Sequence, residues 1–154
     1  MKTILILLGT VMLSATSFAQ KISENKIPTA VLISFKTKFP AAMKTTWEME
    51  NKSEYEADFT IDKTKHSAKF DKSGKWKETE TDIKITELPE AVSQSIAKEF
   101  DGYKVEEAEK VETSNNGIIY EVKVKKGKVT YEAQFSSTGK VLKKDIEKKE
   151  KDND

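Results

Sequence analysis

Apolar residues recur at helical spacing in two segments, and after each segment the period switches to two. Val31, Phe35 and Phe39 fall at i, i+4 and i+8, as do Val92, Ile96 and Phe100. Each set predicts a helix with one apolar stripe. Pro28 and Pro89 suit the first helical turn, where a missing N–H costs nothing. Pro40 and Asp101-Gly102 stop the helices. Beyond the stops, Tyr55, Ala57, Phe59 and Ile61 alternate with Glu56, Asp58 and Thr60, and His66, Ala68 and Phe70 alternate with Ser67 and Lys69. Tyr120, Val122 and Val124 repeat the pattern, as do Tyr131, Ala133 and Phe135. Half-buried strands read this way. Asp62-Lys63, Gly127-Lys128, Lys72-Ser73-Gly74 and Ser137-Thr138-Gly139 supply the hairpin turns. Shorter first strands are expected around Trp47–Glu50 and Glu109–Glu112. The pattern predicts an α+β fold in which one sheet face is apolar and covered by helices and the other is polar.

The pattern also repeats itself. Ile27-Pro28…Ala30-Val31 returns as Leu88-Pro89…Ala91-Val92, 61 residues on, with Phe39 meeting Phe100. Tyr55-Glu56, Ala68, Phe70 and Gly74 return 65 residues on as Tyr120-Glu121, Ala133, Phe135 and Gly139. A four-residue insertion between Phe100 and Tyr120 reconciles the offsets, and Asn115-Asn116-Gly117 is one place for it. Thr79–Glu87 reads as a direct joint between the copies, without the Gly or Pro of a flexible linker.

Composition changes the picture at the N-terminus. Lys2, the apolar run Ile4–Leu13 and the small residues Ser17 and Ala19 form a secretory signal with a cut before Gln20. The run is too short for a membrane span, which needs about 20 residues. No Cys follows it, so a lipid anchor is excluded. A periplasmic or secreted protein is expected, with no membrane insertion after cleavage. All 27 basic residues are Lys, and they face 26 acids. A near-neutral, Arg-free chain argues against nucleic acid, which asks for a basic face. The absence of Cys removes disulfides, thiolate metal sites and thiol catalysis.

The sequence Ile27-Pro28…Trp47…Tyr55-Glu-Ala-Asp-Phe59…Ala68-Lys-Phe-Asp-Lys-Ser-Gly-Lys-Trp76, then Leu88-Pro89…Tyr120-Glu-Val122…Phe135…Gly139, resembles the PepSY-like family of exported bacterial proteins, also described as β-lactamase-inhibitor-like. The resemblance spans roughly residues 27–146. It implies two tandem units, each a helix plus four antiparallel strands, and admits their joining into one curved sheet. The domains expected are a signal peptide at 1–19, a lead-in at 20–26, PepSY-like repeats at 27–85 and 86–146, and a charged tail at 147–154. The resemblance implies little chemistry, because architecture does not carry function across.

No catalytic residue, metal site or cofactor is expected. His66 is the only imidazole, and alternation sets it beside Ala68 and Phe70 as a half-buried side chain. No motif surrounds any Ser, and Asp71-Lys-Ser-Gly lacks the alternating acids of a calcium loop. Trp47 and Trp76 could join an aromatic binding surface, but Tyr55, Tyr120 and Tyr131 lie on the core parity. The candidate partner-binding surface is the polar sheet face. It carries Glu48, Glu50, Glu56, Asp58 and Lys69 in the first copy, and Glu121, Lys123, Glu132 and Gln134 in the second. Lys69 and Lys77 are the expected neutralising cations. The function expected is a non-catalytic, inhibitor-like module contacting an envelope or extracellular protein. The alternative is a periplasmic small-ligand or ion-binding protein using the groove between copies.

Overall fold

The computed structural model describes residues 20–115 and 117–146, so the leader at 1–19 and the tail at 147–154 lie outside the described residues. Strand β1 (Gln20–Ile22) precedes helix α1 (Thr29–Lys38) and strands β2 (Met43–Asn51), β3 (Glu54–Ile61), β4 (Thr64–Asp71) and β5 (Trp76–Asp82). Helix α2 (Glu90–Glu99) then leads into β6 (Lys104–Thr113), β7 (Gly117–Lys126), β8 (Val129–Ser136) and β9 (Val141–Ile146). All nine strands form one sheet in sequence order, each antiparallel to the next. A 3-10 turn precedes each helix, at Glu24–Lys26 and Ile85–Glu87.

Both helices start and stop by the same local devices. Pro28 and Pro89 sit one position before the first helical residue rather than inside the first turn, with φ −55° in each. Their carbonyls accept the amides of Val31 and Leu32, and of Val92 and Ser93. At the other end Phe39 and Phe100 donate to the carbonyls of Phe35 and Ile96 and leave the helix at φ −126° and −127°. Val31, Phe35, Val92 and Ile96 are buried against the sheet.

Two clusters result. The first gathers Ile27, Val31, Phe35, Trp47, Ala57, Phe59, Ala68 and Phe70; the second gathers Leu88, Val92, Ile96, Phe100, Ala108, Val122, Val124, Ala133 and Phe135. One expected core residue departs. Phe39 is only half-buried, whereas Phe100 is 2% exposed. Phe100 is covered by Tyr131, 5.7 Å away between ring centres, by the Lys144 ammonium 4.4 Å from its ring centre, and by the residue three positions on. Tyr103 packs edge-on against Phe100 at 5.9 Å between ring centres, and Ala42 at the matching place offers no ring.

The turns differ in chemistry but not in job. Asp62 and Lys63 both take positive φ (50° and 69°), the two-residue hairpin geometry that matches strand twist. At the matching turn Gly127 alone does so. Gly74 and Gly139, at φ 84° and 80°, let the β4–β5 and β8–β9 turns tuck under the helices. A Cβ on Gly74 would lie 2.5 Å from the carbonyl oxygen of Ala30, and one on Gly139 would collide with that of Ala91.

The joint is direct, as expected, but part of it is strand. Thr79–Asp82 belongs to β5, and Ile83 and Lys84 alone separate that strand from the 3-10 turn. The boundary at 85/86 falls inside this turn. β5 pairs with β6 from Glu78 opposite Thr113 to Asp82 opposite Glu109, so the halves share one sheet. β2 and β6 are also longer than Trp47–Glu50 and Glu109–Glu112.

Candidate functional site

Among the described residues no helix or strand covers the sheet face opposite the helices, and pairing registers decide what meets on it. Glu48 lies opposite Glu56 across β2 and β3, and Glu56 lies opposite Lys69 on β4. Asp58 faces Ser67 on β4, whose hydroxyl donates to Glu56. A bulge at the start of β5 places Glu78, not Lys77, opposite Lys69, and Glu80 opposite Ser67. Lys69 therefore bridges Glu78 at 3.0 Å and Glu80 at 3.3 Å. Lys77 is absent from that group, which corrects the expected second cation. Across the joint, Glu109 lies opposite Glu121, Lys123 opposite Glu132, and Gln134 donates to Glu121 at 2.8 Å. Lys123 reaches Glu107 at 3.4 Å and Glu132 at 3.9 Å. Glu50 hydrogen-bonds to Glu56, so the nine residues singled out from the sequence lie on one continuous surface.

Its middle is more acidic than the sequence suggested. Glu78, Glu80, Asp82 and Glu109 lie where the two halves meet. The alternation Lys77-Glu-Thr-Glu-Thr-Asp82 is a period-two signal for the first three, and Glu109 lies in a segment whose strand the sequence predicts. A recess of about 350 Å³ opens there between Glu56, Asp58, Glu80, Asp82 and Glu109, with Lys44, Lys65 and His66 along it. A second, of about 230 Å³, continues past Glu109 to Glu107, Glu121, Lys123 and Glu132.

Proton affinities follow the crowding of like charge. The Glu109 carboxyl is pushed up to about 7 by partial burial and by Glu80, Glu121, Asp82 and Glu107. Among the described residues no cation pairs with it. A hydrogen bond to Glu56, then burial, raises Glu50 to about 7. For Glu56 burial opposes the charge, but hydrogen bonds from Glu50 and Ser67 and the nearby Lys69 outweigh it and hold the carboxylate down. Burial, then Glu56 and Glu48, raises Asp58. For Lys69 burial is outweighed by Glu80, Glu56 and Glu78, so its ammonium is firmly charged.

The remaining chemistry is structural. His66 stacks on Phe59 at 5.4 Å and shares a 3.0 Å hydrogen bond with Thr81. Burial lowers its pKa against the pull of Asp82. Asp71 accepts from the amides of Ser73 and Lys75, which closes its turn on itself. Trp76 donates to Thr79 at 2.9 Å beneath the Lys38 ammonium. Trp47 is core, 4% exposed, and its buried indole N–H has no acceptor among the described residues. A donor sealed this way costs about 1–3 kcal/mol. Among the described residues no three His, Asp or Glu side chains are arranged to hold a metal.

This geometry can be set beside known proteins. The model of the PepSY-like family, described as beta-lactamase-inhibitor-like, matches residues 15–62 and 53–143. The chain belongs to the PepSY-like family. Among solved structures, this PepSY-like chain is similar to a Bacteroides eggerthii protein described as periplasmic. The two are 27% identical, with a TM-score of 0.72, over 77% of this chain and 88% of that one. It is also similar to a BLIP-like protein from Bacteroides fragilis, at 25% identity and a TM-score of 0.70, over 82% and 92% of the two chains. No curated protein matches it in sequence. The protein is periplasmic or secreted, and among the described residues no helix is long and apolar enough to cross a membrane. No catalytic activity is indicated for the family.

Proposed function

We propose that the protein is a non-catalytic binding module of the cell envelope, inhibitor-like in architecture, which captures a partner protein on its polar sheet face. The observation that carries this is Glu109. It sits half-buried among four other acids and, among the described residues, has no paired cation, at the place where the halves join. Like charges held side by side on a sheet cost stability. A lysine- or arginine-bearing loop of a partner would recover that cost on binding. Such complementarity raises association rates and makes capture sensitive to salt. The recesses on either side of Glu109 give that loop two places to rest.

The two halves are proposed to be equivalent repeats. Each has a 3-10 turn, a proline, a helix and four strands in the same order, and Trp47 opposite Ala57 corresponds to Ala108 opposite Val122. Their polar faces then form one two-part surface. Cleavage between Ala19 and Gln20 is proposed to release it, and intact mass of the native protein checks this by starting at Gln20.

The test is capture from envelope extract by the mature protein, at low and high salt. A stoichiometric protein partner, lost at high salt and bearing a basic contact segment, supports the proposal. A small cation retained in native mass spectrometry with no protein captured would favour the small-ligand alternative, for which the recess of about 350 Å³ has room.

A further inference from the structure

The two halves pack around separate cores. The buried cluster built on Phe35 and Phe70 shares no member with the one built on Phe100 and Phe135. The β5–β6 pairing is the seam between them, and the chain crosses it between Asp82 and Ile83. Ile83 already packs against the second cluster and donates its amide to Ala108. On its polar side the seam sets Glu78, Glu80 and Asp82 opposite Thr113, Val111 and Glu109. On its helix side Thr79 and Thr81 meet Glu112 and Lys110. Val111 is the one apolar residue in this pairing, and it belongs to neither cluster. Inside the halves the strands are tied by core residues set face to face, Ala57 on Ala68 and Val122 on Ala133. The seam has no such apolar layer, so its ladder hydrogen bonds hold it, and their net worth is modest.

Charge along the polar side pushes the halves apart. Glu109 meets Glu80 and Asp82 from β5 and Glu121 from β7, with Glu107 beside it on its own strand. Asp58, Lys44, Lys65 and His66 line the recess that ends at Glu109. The two central lysines are engaged elsewhere, Lys69 with Glu78 and Glu80, Lys123 with Glu107 and Glu132. Burial raises the Glu80 carboxyl against the pull of Lys69. We propose that the β5–β6 seam is a hinge on which the two halves change their angle, opened by repulsion among the acids along it and closed when protons or cations neutralise them. The ladder stays paired while the polar face widens or narrows, and each core moves as a rigid body. The hinge is a property of the free protein and stands whether or not the polar face captures a partner.

The test uses the full mature protein, whose lack of Cys makes paired labelling clean. Spin labels on Thr46→Cys in β2 and Lys143→Cys in β9, both exposed and on the polar face, span the seam. Their separation is read by double electron–electron resonance. Between pH 5 and pH 8 at low ionic strength it is expected to lengthen by about 2 Å or more, the size of a hinge movement. At pH 8 in 1 M potassium chloride, where the Debye length is about 3 Å, it should shorten again. A pair within the first half, Thr46→Cys and Lys72→Cys, should not move. Glu80→Gln/Glu109→Gln should hold the seam closed at pH 8. A cross-seam separation that ignores pH, a pair within the first half that moves as far, or a pH response kept in the double glutamine variant would each overturn the proposal.

Discussion

In the first half Trp47 lies in the core, Ala42 follows the helix, and Phe39 stays half-exposed; in the second, Ala108 and Tyr103 stand in those places and Phe100 is buried. The first half carries a large ring on its strand β2, Trp47, and the second carries one between α2 and β6, Tyr103. The contrast teaches that a helix and four strands set where a core lies, but not which element supplies its aromatic bulk. On the polar face the halves differ in charge instead. Glu48 and Glu56 correspond to Glu109 and Glu121, so the crowded acidic pair recurs. Lys69 beside Glu56 becomes Gln134 beside Glu121, while Asp58 becomes Lys123. The cation is thus central in the first half and displaced in the second, which leaves Glu109 unmatched among the described residues.

The largest effects should be alike in the two halves. Phe70 and Phe135 are both fully buried, and truncating either to Ala should cost about 3–5 kcal/mol in urea unfolding. A loss confined to one variant would break the equivalence of the cores. Next come the turn glycines. Gly74→Ala and Gly139→Ala each place a Cβ against a helix carbonyl at positive φ, and each should cost more than about 1 kcal/mol. A neutral result at one of them would mean that its turn does not hold its helix as the other does.

A smaller effect reads the difference in charge. Glu109, raised to about 7 from an ordinary 4.5, favours its protonated form in the folded state. Its contribution to stability is complete below about pH 4.5 and is lost as pH rises through 7. Glu109→Gln should therefore stabilise by about 1 kcal/mol at pH 8, with solvent screening allowed for, and change little at pH 4. Thermal melts at both pH values check this, and an equal effect at both would remove like-charge crowding as its cause.

How much of this could be read from the sequence varies with the physics involved. The helices, the meander and the nine polar-face residues follow from periods of 3.6 and 2. The directness of the joint is legible, but its strand character is not, because Glu78-Thr-Glu-Thr-Asp82 has no apolar member to mark it as strand, although its alternation is strict. The bulge that replaces Lys77 by Glu78 beside Lys69 is a one-residue slip, which reverses side-chain faces and leaves no local sign. The half-exposure of Phe39 depends on a contact it lacks, and the helical stripe cannot report that.

The most direct measurement is capture of the envelope partner by Glu56→Lys/Asp58→Lys and by Glu109→Lys, at low salt, with circular dichroism confirming the fold. The account predicts that both folded variants lose the partner, and that Phe39→Leu on the opposite side of the sheet keeps it. Undiminished capture by both charge-reversed proteins would contradict it, and the polar sheet face would no longer be the binding surface.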